Sequence, residues 1–148
     1  SRVRRQRQMC IRDSLNIDKI KFIPLICYEI IYSGKINPNK KYYDFILNIS
    51  EDGWFGKSIG PAQHLSHSIF RSIEEGKNVI RSTNNGVSAF VNPKGQTIKQ
   101  ISEKGYFDVN KFKRVDKTYF AEHGNKIFFY FVIIYTTFIV ILKIRENK

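Results

Sequence analysis

The chain has 148 residues, enough for one modest domain with a real core. Lysine and arginine number 25 against 13 acidic residues, a net charge of +12 that invites a nucleic-acid reading. No RNP-like motif, zinc-ligand spacing or basic helix accompanies that charge, and the scattered lysines suit a domain beside an anionic membrane surface at least as well. Cys10 and Cys27 are the two cysteines, too few for a disulfide framework.

Residues 1–14 differ in character from the Ile-, Lys- and Asn-rich chain after them. They carry five Arg and one Asp, so +4 of the charge lies there and +8 in the rest. As native sequence this would be a basic arm. It resembles a translated sequencing-adapter tail, and it lacks the apolar stretch of a signal peptide. The expectation is a non-native leader, with Cys10 inert and the true N-terminal part of the protein missing upstream of Leu15.

The first strong signal is Phe22-Ile-Pro-Leu-Ile-Cys27, an apolar run interrupted by Pro24 that reads as a buried strand ending at a thiol. Glu29 to Ile36 follows as a possible short helix, closed by the turn Asn37-Pro38-Asn39. Tyr42 to Ser50 is a second strand, whose run Phe45-Ile-Leu47 suits an interior position. A Gly-containing loop runs from Glu51 to Gly60. Pro61 then opens a helix in which Ala62, Leu65, Ile69 and Ile73, joined by Phe70, make a stripe of helical period, and Gly76 stops it. Val79–Thr83, Val87–Val91 and Gln96–Ile101 read as strands separated by Asn84-Asn85-Gly86 and Asn92-Pro-Lys-Gly95. That order is α/β, with hairpin strands closing one side of the sheet.

The end of the chain is a different object. Residues 121–126 read as a linker, and Ile127 to Leu142 is a run without charge. It would reach roughly 24 Å as a helix against a hydrocarbon core of about 30 Å, with Lys126 and Lys143 able to snorkel outward. A core helix would need a polar side or a partner, so residues 127–143 are expected to be a transmembrane helix. Lys143, Arg145 and Lys148 against Glu146 put the tail, 144–148, in the cytoplasm and the α/β domain outside.

A cysteine at the carboxyl end of a strand sits where open α/β folds keep their chemistry. The helix start beyond Cys27 favours thiolate, and the backbone N–H of Tyr28 is placed to meet an oxyanion. The competing reading is a buried, inert cysteine. Glu29 either helps the turn start or shares a face with Cys27 and tunes it. Trp54 and Phe55 are core plugs or an aromatic loop over a pocket. Gly56-Lys-Ser58-Ile-Gly60 matches a nucleophile-elbow pattern and echoes a P-loop, but no strand leads directly into it and the upstream Gly of a P-loop would fall at Glu51. His64 and His67 have a spacing that can hold a metal, yet no third ligand is suitably spaced, so no metal and no cofactor is expected.

Three ordered blocks are more specific. Ile26-Cys27-Tyr28-Glu29-Ile30, then Asn48 through Trp54-Phe-Gly-Lys-Ser-Ile-Gly-Pro-Ala-Gln-His64, then Arg81-Ser-Thr-Asn-Asn-Gly86 closely resemble the apolipoprotein N-acyltransferases, bacterial membrane enzymes of the nitrilase superfamily. The likeness runs from about Phe22 through the terminal apolar segment. It implies a nitrilase-like α-β-β-α sandwich, here its C-terminal half over 15–120, followed by one transmembrane helix. It also implies a Glu–Lys–Cys triad at the periplasmic face of the inner membrane.

In that family a cysteine, matched by Cys27, takes an acyl chain from a phospholipid as a thioester. It then passes the chain to the α-amino group of a diacylglyceryl-cysteine on an apolipoprotein, the last step of lipoprotein maturation. Tyr28 and Glu29 support the nucleophile, and Trp54 and Phe55 belong to the substrate surroundings. The expected partners are therefore phospholipid, apolipoprotein and membrane rather than nucleic acid, with a monomeric full-length protein. Two departures stand out. Ser50-Glu51-Asp52-Gly53 replaces the family's frequent Asn-Asp before the Trp, and the family's base Glu and its Lys lie upstream of the nucleophile, where nothing here matches them. The chain is thus expected to be a fragment, inactive alone. The alternatives are a nitrilase-type amidase of small amides, which needs no membrane span, and a non-catalytic membrane-tethered basic module.

Overall fold

The computed structural model describes residues 14–146 except 18, 103, 110, 111, 113 and 114. The leader reading, Cys10 included, lies outside the described residues apart from Ser14, as does Lys148 of the tail. Six strands form one sheet: β1 Leu15–Ile17, β2 Ile20–Ile26, β3 Phe45–Glu51, β4 Asn78–Asn84, β5 Ser88–Val91 and β6 Thr97–Ile101. They lie side by side in chain order. β2, β3 and β4 run parallel, while β1 and the β4–β5–β6 meander are antiparallel. Three helices accompany them among the described residues: α1 Gly60–Glu75, α2 Tyr119–His123 and α3 Lys126–Glu146. Short 3-10 turns occupy Cys27–Ile31 and Gly53–Phe55.

Each strand's period of two divides its residues between the faces. On the face covered by α1, Ile23 opposes Ile46, which opposes Val79, and Val79 opposes Val91. With Leu25, Ile30, Ile36, Tyr43 and Ala89 these form the core, and Leu65 and Ile69 of α1 pack against it. On the other face Phe22 stacks on Phe45 at 5.3 Å, Phe45 on Phe112 at 4.9 Å, and Phe112 meets Phe90 edge-on at 6.4 Å. This aromatic cover stops short of the carboxyl ends, where Ile26 and Ile49 are exposed. The result is a mixed α/β sheet with one helical layer.

Several sequence expectations change. β2 is not buried along its length, because only Ile23 and Leu25 face α1 and neighbouring β1 covers only Ile20 to Phe22. Pro24 therefore falls where β2 has one strand neighbour, the place a residue without an N–H is tolerated. The turn after β2 starts at Cys27 itself and ends at Ile31, rather than spanning Glu29 to Ile36. α1 buries Gly60, His64, Ser68, Arg71, Ser72 and Glu75, while of the apolar stripe Leu65 and Ile69 pack half-buried against the core. Ala62, Phe70 and Ile73 are exposed, and Ile73 with Ile69 closes over Gly95, whose φ of +76° and missing Cβ make room for them. Much of that polar face is satisfied by hydrogen bonds, His64 with Asp52, Glu75 with Tyr43, Arg71 with the Ile31 carbonyl and Ser72 with the Ile69 carbonyl.

The expected linker 121–126 is partly helical, since α2 is capped by Thr118, whose Oγ1 accepts the Ala121 N–H at 3.0 Å. The apolar helix is longer than its uncharged run. Lys126–Arg145 is 20 residues, about 30 Å at 1.5 Å per residue, long enough to cross a bilayer. None of it is buried against the rest of the chain.

Candidate active site

β2 delivers Cys27 to the carboxyl edge of the parallel strands with its backbone in the left-handed region, at φ +50°. For a residue with a Cβ this is a strained conformation, costing about 1–2 kcal/mol. It belongs to a sharp strand-to-turn junction of the sort that presents a nucleophile. Glu29 fixes that junction, because its Oε2 accepts the Ile26 N–H at 2.7 Å. It lies beside the elbow backbone rather than against Sγ. Cys27 itself is partly exposed and unpaired as a disulfide.

Below the elbow lies a buried polar cluster that the local pattern did not reveal. Its members come from alternate positions of β3 (Asn48, Ser50) and from Asp52, His64 of α1 and Arg81 of β4, all on one face. Arg81 donates to Asp52 Oδ2 at 2.6 Å through one guanidinium nitrogen and to Asn48 Oδ1 through the other. His64 Nδ1 lies 2.9 Å from Asp52 Oδ1, a contact that puts the ring proton on Nδ1. Ser50 Oγ donates to the same oxygen at 2.9 Å and sits 3.6 Å from Cys27 Sγ. Asn48 Nδ2 donates to the carbonyls of Leu25 and Cys27, at 3.1 and 3.3 Å. His64 Nε2 also faces the Cys27 carbonyl, at 3.3 Å.

Burial by itself would push the Asp52 carboxyl up. The hydrogen bonds from Arg81 and His64 and the guanidinium charge outweigh it and hold the carboxyl below its ordinary value. Asp52 is thus a buried anion with both oxygens hydrogen-bonded, Oδ1 to His64 and Ser50 and Oδ2 to Arg81. Gly86 stands against it so closely that a Cβ there would come within 2.5 Å of the carboxylate. The network grips the carbonyl oxygen of Cys27, not its sulfur, so it positions the Cys27 backbone and does not deprotonate the thiol. Among the described residues, Ser50 is the side chain found within bonding distance of Sγ.

The rim is aromatic. Tyr28 stacks on His64 at 5.2 Å and meets Phe55 at 6.0 Å, and Phe55 lies edge-on to His64 at 5.8 Å. Phe55 also covers Gly60, where a Cβ would collide with its ring. So of the two loop aromatics, Phe55 is the plug and Trp54, at 86% exposure, is the free one. Tyr28, Ile59 and Ile26 are exposed beside it. A cavity of about 60 Å³ lies between Tyr28, Phe55, Gln63, His64 and His67. Glu51 holds the loop from outside, accepting the Gly53 N–H at 2.7 Å and the Asn84 side chain at 2.5 Å.

Other sequence candidates resolve simply. Ser58 lies in a turn and its Oγ accepts the Gly60 N–H at 3.1 Å, so it is no elbow nucleophile. His64 is committed to Asp52, and no group of three or more His, Cys, Asp or Glu suited to a metal occurs among the described residues. One signal for the hidden network was present: polar Asn48 and Ser50 alternate along a strand whose other residues are apolar.

Comparison with known proteins adds to this geometry. The apolipoprotein N-acyltransferase of Wigglesworthia glossinidia brevipalpis is 35% identical over 137 residues, covering 90% of this chain and 28% of the relative. That of Rickettsia bellii is 39% identical over 124 residues, covering 78% and 25%, and that of Haemophilus influenzae 45% identical over 94 residues, covering 63% and 18%. The chain thus spans about a quarter of the length of such curated relatives. An amidase from Nesterenkonia sp. superimposes with a TM-score of 0.47 at 17% identity, over 60% of this chain and 36% of that one, too slight a likeness to carry an argument. The pattern of the carbon-nitrogen hydrolase family matches residues 8–106, and the chain belongs to that family.

Proposed function

We propose that this chain is the C-terminal, nucleophile-bearing portion of an apolipoprotein N-acyltransferase. Cys27 Sγ would attack the ester carbonyl of a phospholipid, expelling the lysophospholipid as its alcohol and leaving an acyl thioester. The α-amino group of a diacylglyceryl-cysteine would then attack the thioester, forming the amide and returning the thiol. The route is ping-pong, and a thiolate serves both as nucleophile and as leaving group. The Tyr28 backbone N–H, at the start of the turn where such groups have no partner within the helix, would steady the oxyanion. Glu29 supports the elbow, and Trp54 and Phe55 border the acyl entry.

One observation carries this reading. A strained cysteine at a rim of exposed apolar side chains belongs to the same chain as a helix long enough to span a bilayer and bare on every side. A small-amide hydrolase could use such a cysteine, but it needs neither the exposed apolar rim nor the span. The names of the relatives support the same choice. The helix would place the α/β domain on the periplasmic face of the inner membrane, with its basic end in the cytoplasm.

No Glu or Lys side chain meets Sγ among the described residues, and the resemblance puts both partners upstream. This stretch alone is therefore expected to be inactive. The test uses the reading frame extended upstream of Leu15, recovered from the source DNA and expressed in membranes with phospholipid. Intact mass should show an acyl adduct that hydroxylamine removes and that Cys27→Ala abolishes. A folded, extended protein without that adduct would overturn the proposal, and acyl transfer by the 148-residue chain alone would overturn its inactivity.

A further inference from the structure

A second cavity, of about 420 Å³, opens at the other end of the domain. Tyr43, two residues before β3, and Lys77, one before β4, stand in its wall, so it lies at the amino ends of the parallel strands. Cys27 lies at their carboxyl ends, and the two sites share no residue. Lys40, Lys41, Lys77, Lys117 and Lys126 line the cavity, against the carboxyls of Glu75 and Glu122. Glu75 is turned inward, accepting the Tyr43 hydroxyl at 2.6 Å, and burial pushes its carboxyl up. The balance of charge in the cavity is positive.

Uncharged groups help to position two of the ammonium groups. Lys77 Nζ sits 5.5 and 5.4 Å from the ring centres of Tyr42 and Tyr43. Lys40 Nζ donates to the carbonyl oxygen of Glu122 at 3.0 Å. The remaining wall decides the ligand class. Lys126 and Tyr130 belong to the first turns of α3, so the cavity opens where that helix would enter the headgroup layer. Its volume is in the range of small-ligand sites.

We propose that this cavity binds the phosphate of an anionic phospholipid headgroup, apart from the acyl donor at Cys27. The inference rests on α3 being a membrane span. A phosphodiester in the headgroup layer would sit among the lysines while its acyl chains ran down the apolar surface of α3. Bound there, such a lipid would fix the angle at which the domain stands on the membrane, because the cavity joins α3 to Tyr43 and Lys77 of the α/β domain.

The test places the whole chain in nanodiscs of phosphatidylcholine, with or without phosphatidylglycerol, and reads retained lipid by native mass spectrometry. Carbonate extraction of matching vesicles reports whether α3 is inserted. The expected result is an inserted chain that retains phosphatidylglycerol in preference to phosphatidylcholine, with inorganic phosphate failing to displace it. Lys41→Gln with Lys117→Gln should weaken that retention about 25-fold, at about fivefold per lysine. Lys94→Gln with Lys104→Gln, the same charge change away from the cavity, should leave it unchanged. If the first double variant unfolds, Lys117→Gln alone is read, with about a fivefold loss expected.

An inserted chain that takes both lipids alike, or responds equally to both double variants, overturns the inference and leaves the membrane reading standing. Displacement by inorganic phosphate would make the cavity a soluble-anion site and likewise overturn it. Extraction of the chain by carbonate would overturn the membrane reading and the inference with it.

Discussion

The two ends of the parallel strands are built on opposite plans although they share one face and one covering helix. At the amino ends, Ile23, Ile46, Val79 and Val91 meet as hydrocarbon. One pleat further along, the same strands present Asn48, Ser50 and Arg81, and α1 answers with His64. The first region is held by burial of apolar area, which tolerates small errors of position. The second is held by a cation, an anion and their hydrogen bonds, which hold only while every member is satisfied. Position therefore matters most just below Cys27, where the network grips the elbow carbonyl. α1 repeats the contrast in its carboxylates: Asp52, beside its first turns, is held below its ordinary value, while burial keeps Glu75, at its last turn, above its own.

This contrast can be attacked at several points. The largest expected effect is at Arg81. Arg81→Met strands a buried carboxylate and should lower unfolding stability by about 3–5 kcal/mol. A denaturant midpoint shifted by under 1 kcal/mol would show that the polar end does not depend on its ion pair. At the apolar end, Ile46→Ala should cost about 3 kcal/mol by opening a cavity, read in the same titration. Its loss should be independent of pH, whereas that of Arg81→Met should shrink as Asp52 is protonated.

Cys27→Gly runs the other way. Relief of the left-handed strain should raise stability by about 1 kcal/mol while abolishing any thioester. A destabilised glycine variant would mean that the thiol's contacts outweigh the strain.

The pH dependence follows from the signs of the two carboxylates. Asp52, depressed, contributes stability that is present above its unfolded value near 3.8 and lost as pH falls through the lower folded value. Glu75, raised, binds its proton more tightly when folded, so stability falls as pH rises above 4.5 toward its folded value. Glu75→Gln should flatten that higher limb and leave the acid limb intact, as seen in unfolding midpoints across pH. The smallest effect is at Trp54. Trp54→Ala, at an exposed position, should move stability by less than about 0.5 kcal/mol, yet slow acylation of Cys27 from phospholipid in the extended protein. Unchanged acylation would remove Trp54 from the substrate path.

What the sequence made legible divides along the same line. Apolar runs announced β2 and β3, and turn residues marked out β4, β5 and β6, because those signals are local. The thiol at the end of an apolar run pointed to Cys27 for the same reason. β1 escaped notice because Leu15–Ile17 is three exposed residues long. α2 escaped because five residues hold too little period to read. The face of α1 was only partly legible because periodicity rewards apolar stripes: Leu65 and Ile69 do pack on the core, but the fully buried line beside them is His64, Ser68, Ser72 and Glu75. The Asn48–Arg81 pairing depends on the register of β3 against β4, set by residues 33 apart, and no window of sequence contains it.

Strand order in this sheet is simply chain order. Each strand leaving the ribosome finds its neighbour already made, so contacts close over short stretches of chain and assembly need not wait for distant segments. By the time Asn84 has emerged, the elbow, Asn48, Ser50, Asp52, His64 and Arg81 are all outside the tunnel. The apolar helix comes last. Timing of synthesis would thus let the sheet close around its buried ions before that helix emerges.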